Sequence, residues 1–219
     1  MKKIFKAVFI SALVLTSASL NAQSINVGYV NTTPTTKIGD RDAKAGDAIN
    51  GITAGFGYDI NILNGLGIAT GLNYTYAWDK QEQSISLPIV GSASISAKSV
   101  DHYLDVPIRL AYTLSFSDDF KLFGFAGPKF VYAVAGKTTF SASSDITGDL
   151  SDYLDDAKHY EKDSDLSRFD IKAGLGAGIQ FNNIILKAGY DWGLLNQYTG
   201  DADYTSKSNQ FYVTLGWAL

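Results

Sequence analysis

In the stretch AGLGAGIQFNNIILKAGYDWGLL, Ala173 to Leu195, two kinds of side chain take alternate positions. Gly174, Gly176, Gly178, Lys187, Gly189, Asp191 and Gly193 form one set. Leu175, Ile179, Phe181, Leu186, Tyr190 and Trp192 form the other. A period of two is that of a β-strand, whose successive side chains point to opposite faces. Asparagine tolerates positive φ, so Asn182-Asn183 suits a two-residue turn. That turn sets Lys187 opposite Gly178, Asp191 opposite Gly174, Lys172 opposite Gly193 and Gly176 opposite Gly189. Each charge then faces a glycine, so space is short on the polar side. A water-soluble sheet has the reverse problem. The pattern calls for a closed sheet with a narrow polar interior and an apolar exterior.

The same alternation recurs along the chain. Ile52, Ala54, Phe56, Tyr58 and Ile60 oppose Thr53, Gly55, Gly57 and Asp59. Leu66, Ile68, Leu72, Tyr74, Tyr76 and Trp78 oppose Gly67, Ala69, Gly71, Asn73, Thr75 and Ala77. Leu104, Val106, Ile108, Leu110 and Tyr112 oppose Tyr103, Asp105, Pro107, Arg109 and Ala111. Phe211, Val213, Leu215, Trp217 and Leu219 close the chain in the same way. With Ser24–Asn31 and Phe120–Lys137, these segments predict eight strands. One is irregular: Phe123 and Phe125 differ in parity from Phe130, Tyr132 and Val134. A β-bulge near Gly127-Pro128 would bring all five to one face and send Lys129 to the other.

The connections alternate in length. Asn61–Gly65, Ser115–Asp119 and Asn182-Asn183 are short, whereas Thr32–Asn50, Asp79–Ser99, Thr138–Ser164 and Gln197–Ser208 are long. This is the layout of an all-β, eight-stranded antiparallel transmembrane barrel with short periplasmic turns and long extracellular loops. Both termini fall on the periplasmic side. Trp78, Tyr132 and Trp192 lie near the long-loop ends of their strands, and Tyr58, Phe123, Phe181 and Trp217 near the short-turn ends. Two aromatic rims suit the two interfaces of a membrane, so lipid of the outer membrane is the expected surrounding.

Residues 1–22 read as a secretory signal peptide: Lys2, Lys3 and Lys6, an apolar run from Val8 to Leu15, then Ala22 before the cut. Residues 23–219 are then the barrel domain. Losing the three lysines and no acid takes the formal net charge from −4 to −7, which speaks against nucleic acid as a partner. The chain has no cysteine, so disulfides and a cysteine-linked lipid anchor are excluded.

Four stretches resemble the small outer-membrane barrels of the PorT-like or porin family: DHYLDVPIRLAY (Asp101–Tyr112), FGFAGPKFVYAV (Phe123–Val134), FDIKAGLGAGIQF (Phe169–Phe181) and the terminal FYVTLGWAL. The resemblance implies an eight-stranded outer-membrane barrel folded by the outer-membrane assembly machinery. That machinery reads an alternating last strand that usually ends in an aromatic residue. Here the chain ends on Leu219, with Trp217 two residues earlier. The resemblance carries no catalytic residues with it.

The inward polar set is Asp59, Asp105, Arg109, Asp170, Lys172, Lys187 and Asp191. Four acids and three bases make an ion-pair network that fills the lumen, because unpaired charges there cost several kcal/mol each. The same residues could instead line a narrow path for ions or small solutes. A second alternative is a lipid-modifying enzyme using His102, on the lipid-facing parity near the rim, with Ser99 close by and Asp101 on the opposite parity. A third is a soluble lipocalin-like barrel. His159, in a loop among acids, is read as solvated. The third long loop, Ser143–Asp165, holds eight acids against Lys158 and Lys162. Leu150, Tyr153, Leu154 and Ala157 have helical spacing there, and the acids could attract divalent cations without matching a calcium-loop pattern. SISLPIVGSASIS, Ser84–Ser96, would carry strands above the membrane and offer an edge to a partner. No metal cluster, phosphate loop or nucleophile elbow is present, and GLGAG at Gly174–Gly178 lies within a strand. The expected function is structural or surface-binding through the loops, without catalysis or cofactor.

Overall fold

The computed structural model describes residues 23–39, 41–43, 47–87, 91–144, 148–149, 156–160, 164–200 and 203–219. The signal peptide expected at residues 1–22 lies outside the described residues. Among those described, eight long strands occur: β1 Gln23–Ile38, β2 Ile49–Leu63, β3 Leu66–Leu87, β4 Gly91–Ser115, β5 Phe120–Ser144, β6 Phe169–Phe181, β7 Ile184–Gly193 and β8 Tyr204–Ala218. Each pairs antiparallel with its sequence neighbours, and β8 pairs with β1 from Ser24↔Ala218 to Ile38↔Tyr204. That last pairing closes the ring. Three strands of two or three residues, Arg41–Ala43, Gly148–Asp149 and Ala157–Lys158, sit at the long-loop end.

The polarity is inside out. Phe56, Leu110, Leu175 and Leu215 are 66%, 57%, 55% and 53% exposed, whereas Asp191, Asp170 and Arg109 are 0%, 2% and 4% exposed. A soluble barrel would invert this distribution, because apolar area is what water expels. Closure satisfies every strand edge within the bilayer, where backbone groups have no water to bond. The β6–β7 hairpin turns on Asn182-Asn183 in the register expected from its sequence, including Lys187↔Gly178 and Asp191↔Gly174. Asn182 takes φ 50 there. About 9–11 residues suffice to cross a bilayer on a strand. At 22, 25 and 25 residues, β3, β4 and β5 run well past that. They form a three-stranded sheet above the long-loop rim, as Ser84–Ser96 suggested.

The irregular strand corrects one expectation. There is no bulge at Gly127-Pro128: Pro107↔Lys129 and Leu110↔Ala126 share one register. Phe123 and Phe125 therefore point into the lumen and are not part of an outer aromatic rim. Gly178 and Gly176 on β6 make room for them. A Cβ on either glycine would stand 2.4 Å or 2.5 Å from the facing phenyl Cζ. The true bulge lies one turn higher, between Ala133↔Tyr103 and Ala135↔His102, leaving Val134 as the extra residue. It reverses the parity of β5, so Gly136 and Thr138 face inward with Ala133.

Candidate functional site

A buried polar layer crosses the lumen and is built around Asp191 of β7. Its Oδ1 accepts from Arg109 Nη2 of β4 at 2.6 Å, and its Oδ2 meets Lys129 Nζ of β5 at 2.5 Å. Gly174 faces Asp191, and a Cβ there would lie 1.9 Å from Oδ1. Arg109 Nη1 donates to the Gly127 carbonyl at 2.8 Å, which is the use the fold makes of the Gly-Pro irregularity. Lys129 also donates to Gln210 Oε1 of β8 and lies 5.5 Å from the Tyr212 ring centroid. Gln210 Nε2 donates to Thr32 Oγ1 of β1 at 3.2 Å. On the other side, Asn73 Nδ2 of β3 donates to Asp105 Oδ1 at 2.9 Å. A second pair sits on β6: Lys172 Nζ lies 3.3 Å from Asp170 Oδ2 and 2.5 Å from both Ser208 O and Ser208 Oγ.

Of the seven charges expected inside, Asp105, Arg109, Asp170, Lys172 and Asp191 thus gather in one buried layer. Asp59 and Lys187 lie apart, toward the short-turn end. They line a cavity of about 960 Å³ with Phe123 and Phe125, and Lys187 Nζ is 5.9 Å from the Phe123 ring centroid. Sequence reasoning missed Lys129, Gln210 and Tyr212 as members. Inward parity was the available signal for Gln210 and Tyr212. For Lys129 the expected bulge already sent it to the face opposite Phe130 and Tyr132, although it was not counted in the inward set.

The outward aromatic residues are where their parity puts them. Tyr132, Trp192, Phe181 and Trp217 are exposed, and Trp78 is half-buried beside Tyr76. His102 also lies on the outer wall, its Nδ1 2.5 Å from the Tyr74 hydroxyl and its ring against Tyr76. Two tyrosines are its contacts there, not the serine and acid a hydrolytic histidine needs.

His159 corrects the expectation that it is solvated. It follows the short strand Ala157–Lys158, which pairs with Lys137-Thr138 and folds the third loop onto the barrel mouth. Its Nδ1 lies 2.9 Å from Asp101 Oδ1 and its Nε2 2.5 Å from Thr138 Oγ1. Thr138 Oγ1 is in turn 2.7 Å from Ser99 Oγ. The Tyr103 and Tyr160 hydroxyls stand 3.5 Å apart beside this chain. Burial first, and then the Asp101 carboxylate, pushes the Tyr160 phenol up to about 12, so it remains a hydroxyl at neutral pH. The helical spacing noticed in this loop falls mostly on residues 150–155, outside the described residues, and Ala157 is in a strand. Much of the acidic run lies outside them as well, and Asp156 pairs with Lys137 at 2.5 Å, which holds its carboxyl below the ordinary value.

Arg168 anchors this arrangement. Its Nη1 donates to the carbonyls of Ala133 and Val134 at 3.2 and 2.8 Å, and its Nη2 to Tyr160 O. The Val134 carbonyl, disturbed by the bulge, is what a guanidinium can satisfy. Arg168→Ala is expected to expose the third loop to protease on intact cells while leaving the heat-modifiable gel mobility of the barrel unchanged. Unaltered cleavage would show that the guanidinium does not hold the loop.

Residues 19–198 match the family model described as outer membrane protein beta-barrel domain. The chain belongs to this family. Solved structures similar to it include the attachment invasion locus protein Ail of Yersinia pestis, in complex with the heparin analogue sucrose octasulfate. That likeness is 18% identical, covers 91% of this chain and 100% of the other, and has a TM-score of 0.38. Neisserial surface protein A is 16% identical over 89% of this chain and 97% of its own, with a TM-score of 0.34. The outer membrane enzyme PagL is 10% identical over 89% and 99%, with a TM-score of 0.40. No curated protein matches the sequence. The family assignment rests on the family model and on the closed, inside-out barrel.

Proposed function

We propose that this outer-membrane barrel is closed to solutes and works at the cell surface through its extracellular sheet and loops, not as a pore. The observation that carries this is the Asp191 layer. Arg109 and Asp191 stand on β4 and β7, three strands apart in a ring of eight, so their contact crosses the lumen. Lys129, Gln210 and Thr32 continue the bonding to β1. Eight strands enclose an interior that side chains alone can fill. The cavity of about 960 Å³ is lined by Asp105, Arg109, Lys129 and Asp191 of this layer and by Asn61, Asn64 and Ser115 at the short-turn end, and on this reading it is a vestibule open to the periplasm. The alternative of a narrow channel needs a continuous wet path, and buried ion pairs with added hydrogen bonds oppose one.

On this reading residues 1–22 are removed after export, and the alternating last strand ending Trp217-Ala218-Leu219 is what the assembly machinery recognises. The outward Trp78, Tyr132 and Trp192 hold one interface, and Phe181 and Trp217 the other. The surface role is supported by β3, β4 and β5, whose outer parts stand clear of the membrane-facing band and end at Leu87, Gly91 and Ser144.

Planar-bilayer recording on the purified protein tests the closed lumen. Silence at both polarities is expected, and reproducible step conductance in the wild type would overturn it. Surface digestion of intact cells tests the orientation. Cleavage confined to the long loops is expected, whereas cleavage in the Asn61–Gly65 turn would reverse the barrel.

A further inference from the structure

The Asp101–His159–Thr138 chain at the barrel mouth has the connectivity of a hydroxyl nucleophile with its general base. We propose that it is a hydrolytic site for small acyl esters, with the Thr138 hydroxyl as nucleophile, His159 as general base and Asp101 as the group that orients the imidazole. Such a constellation is recognised by geometry and roles, not by residue order or fold. This goes beyond the surface role proposed above and does not depend on it.

The hydrogen-bond pattern has one consistent assignment for a neutral ring. An ionised carboxylate only accepts, so His159 Nδ1 carries the proton and donates to Asp101 Oδ1 at 2.9 Å. Nε2 is then an acceptor, and the Thr138 hydroxyl donates to it at 2.5 Å. That leaves Thr138 Oγ1 to accept from Ser99 at 2.7 Å. The tautomer is the one a general base requires: the lone pair faces the nucleophile and the proton faces the acid.

Three strands build this chain. Ser99 stands opposite Thr138 and Asp101 opposite Gly136 in the β4–β5 ladder. The His159 amide donates to the Gly136 carbonyl at 3.0 Å, which seats the histidine beside that glycine. The imidazole then reaches across Gly136 to Asp101. A Cβ at Gly136 would stand 2.1 Å from Asp101 Oδ1 and 2.8 Å from His159 Nδ1, so this contact requires glycine. The bulge at Val134 turns Gly136 and Thr138 inward, and Arg168 holds the loop that carries His159. The His159 side chain keeps 19% of its surface exposed, and Ser99 is half-buried. Thr138 itself is buried, 9% exposed, so a substrate would enter past the exposed edge of His159 on the long-loop side. The site faces the narrow mouth and not the lipid, which favours a small soluble ester over a membrane lipid.

The reaction balances without a cofactor. Thr138 Oγ1 bonds to the acyl carbon as its proton passes to His159 Nε2. The ester C–O bond breaks, and the departing alkoxide takes that proton. Water then gives a proton to Nε2 and attacks the acyl carbon, and Thr138 Oγ1 leaves with the proton restored. The net change is ester plus water to acid plus alcohol.

The test uses the full-length barrel folded in detergent, its fold checked by heat-modifiable mobility. It is treated with a fluorophosphonate and the adduct is mapped by mass spectrometry. Hydrolysis of p-nitrophenyl acetate is followed in parallel. An adduct on Thr138 that falls about 10²-fold or more in His159→Gln is expected, the scale of lost general-base catalysis. Asp101→Asn should reduce the rate with less change in KM, and His102→Gln should change neither readout. A purely structural latch would leave labelling at the level of boiled protein. That outcome, an adduct elsewhere, or labelling that survives His159→Gln in a folded barrel would each overturn the proposal. Thr138→Ser guards against misfolding of the other variants: it keeps the hydroxyl and should retain labelling.

Discussion

Asp191→Ala is expected to lower the unfolding free energy of the barrel in lipid vesicles by about 3–5 kcal/mol, the usual consequence of removing one partner from a buried ion pair. Asp191 is 0% exposed and is shared by Arg109 and Lys129, so its loss strands two cations inside a narrow wall. Arg109 and Lys129 are 4% and 5% exposed, so each would lose its partner while still largely desolvated. Urea unfolding followed by tryptophan fluorescence measures the loss, and the temperature of the gel-mobility shift should fall with it. A companion variant separates charge from packing. Replacing Asp191 by Leu together with Arg109 and Lys129 by Met removes the charges and keeps most of the volume. Buried ion pairs replaced in this way are often neutral or stabilising. Recovery in the triple variant would assign the loss to unpaired charge. A single-variant loss under about 1 kcal/mol would mean that the layer is wet, because hydrated ions have little to lose.

Gly176→Val is expected to destabilise the barrel by overpacking, about 1–3 kcal/mol by the ordinary scale for added methyl groups and more where backbone is in the way. A Cβ at this position would stand 2.4 Å from the Ala188 carbonyl and 2.5 Å from Phe125 Cζ. Adding Phe125→Ala should restore part of the stability, because the phenyl ring is one of the two obstacles. The same pair of measurements tests which way β5 faces. If Phe125 pointed to lipid, its truncation could not relieve a clash in the lumen, and the two substitutions would simply add. Non-additive recovery in urea unfolding is therefore the expected result.

The His159 expectation failed for a reason that bears on reading loops from sequence. Between acids in a long connection, a histidine has no local pattern to place it. Its position comes from two backbone pairs, Lys137↔Lys158 and Thr138↔Ala157, and from the carbonyl of Gly136. None of these is visible within a window of neighbouring residues. Asp101 and Thr138 were legible as inward or loop-borne residues, but nothing linked them to His159 across 58 and 21 positions.

The period-two alternation, the glycines facing Lys187 and Asp191, and the alternating short and long connections by themselves determined the closed inside-out barrel. These signals are local or depend on one two-residue turn, and strand geometry converts them directly into faces and register. The tertiary structure alone decided the rest. It placed the bulge at Val134 instead of Gly127, turned Phe123 and Phe125 inward, and brought Lys129 to Asp191 and His159 to Asp101. A bulge changes parity wherever it falls, and its place depends on which neighbouring strand has room: Gly176 and Gly178 on β6 accept phenyl rings, and Gly136 accepts an imidazole. That room exists only once three strands stand side by side.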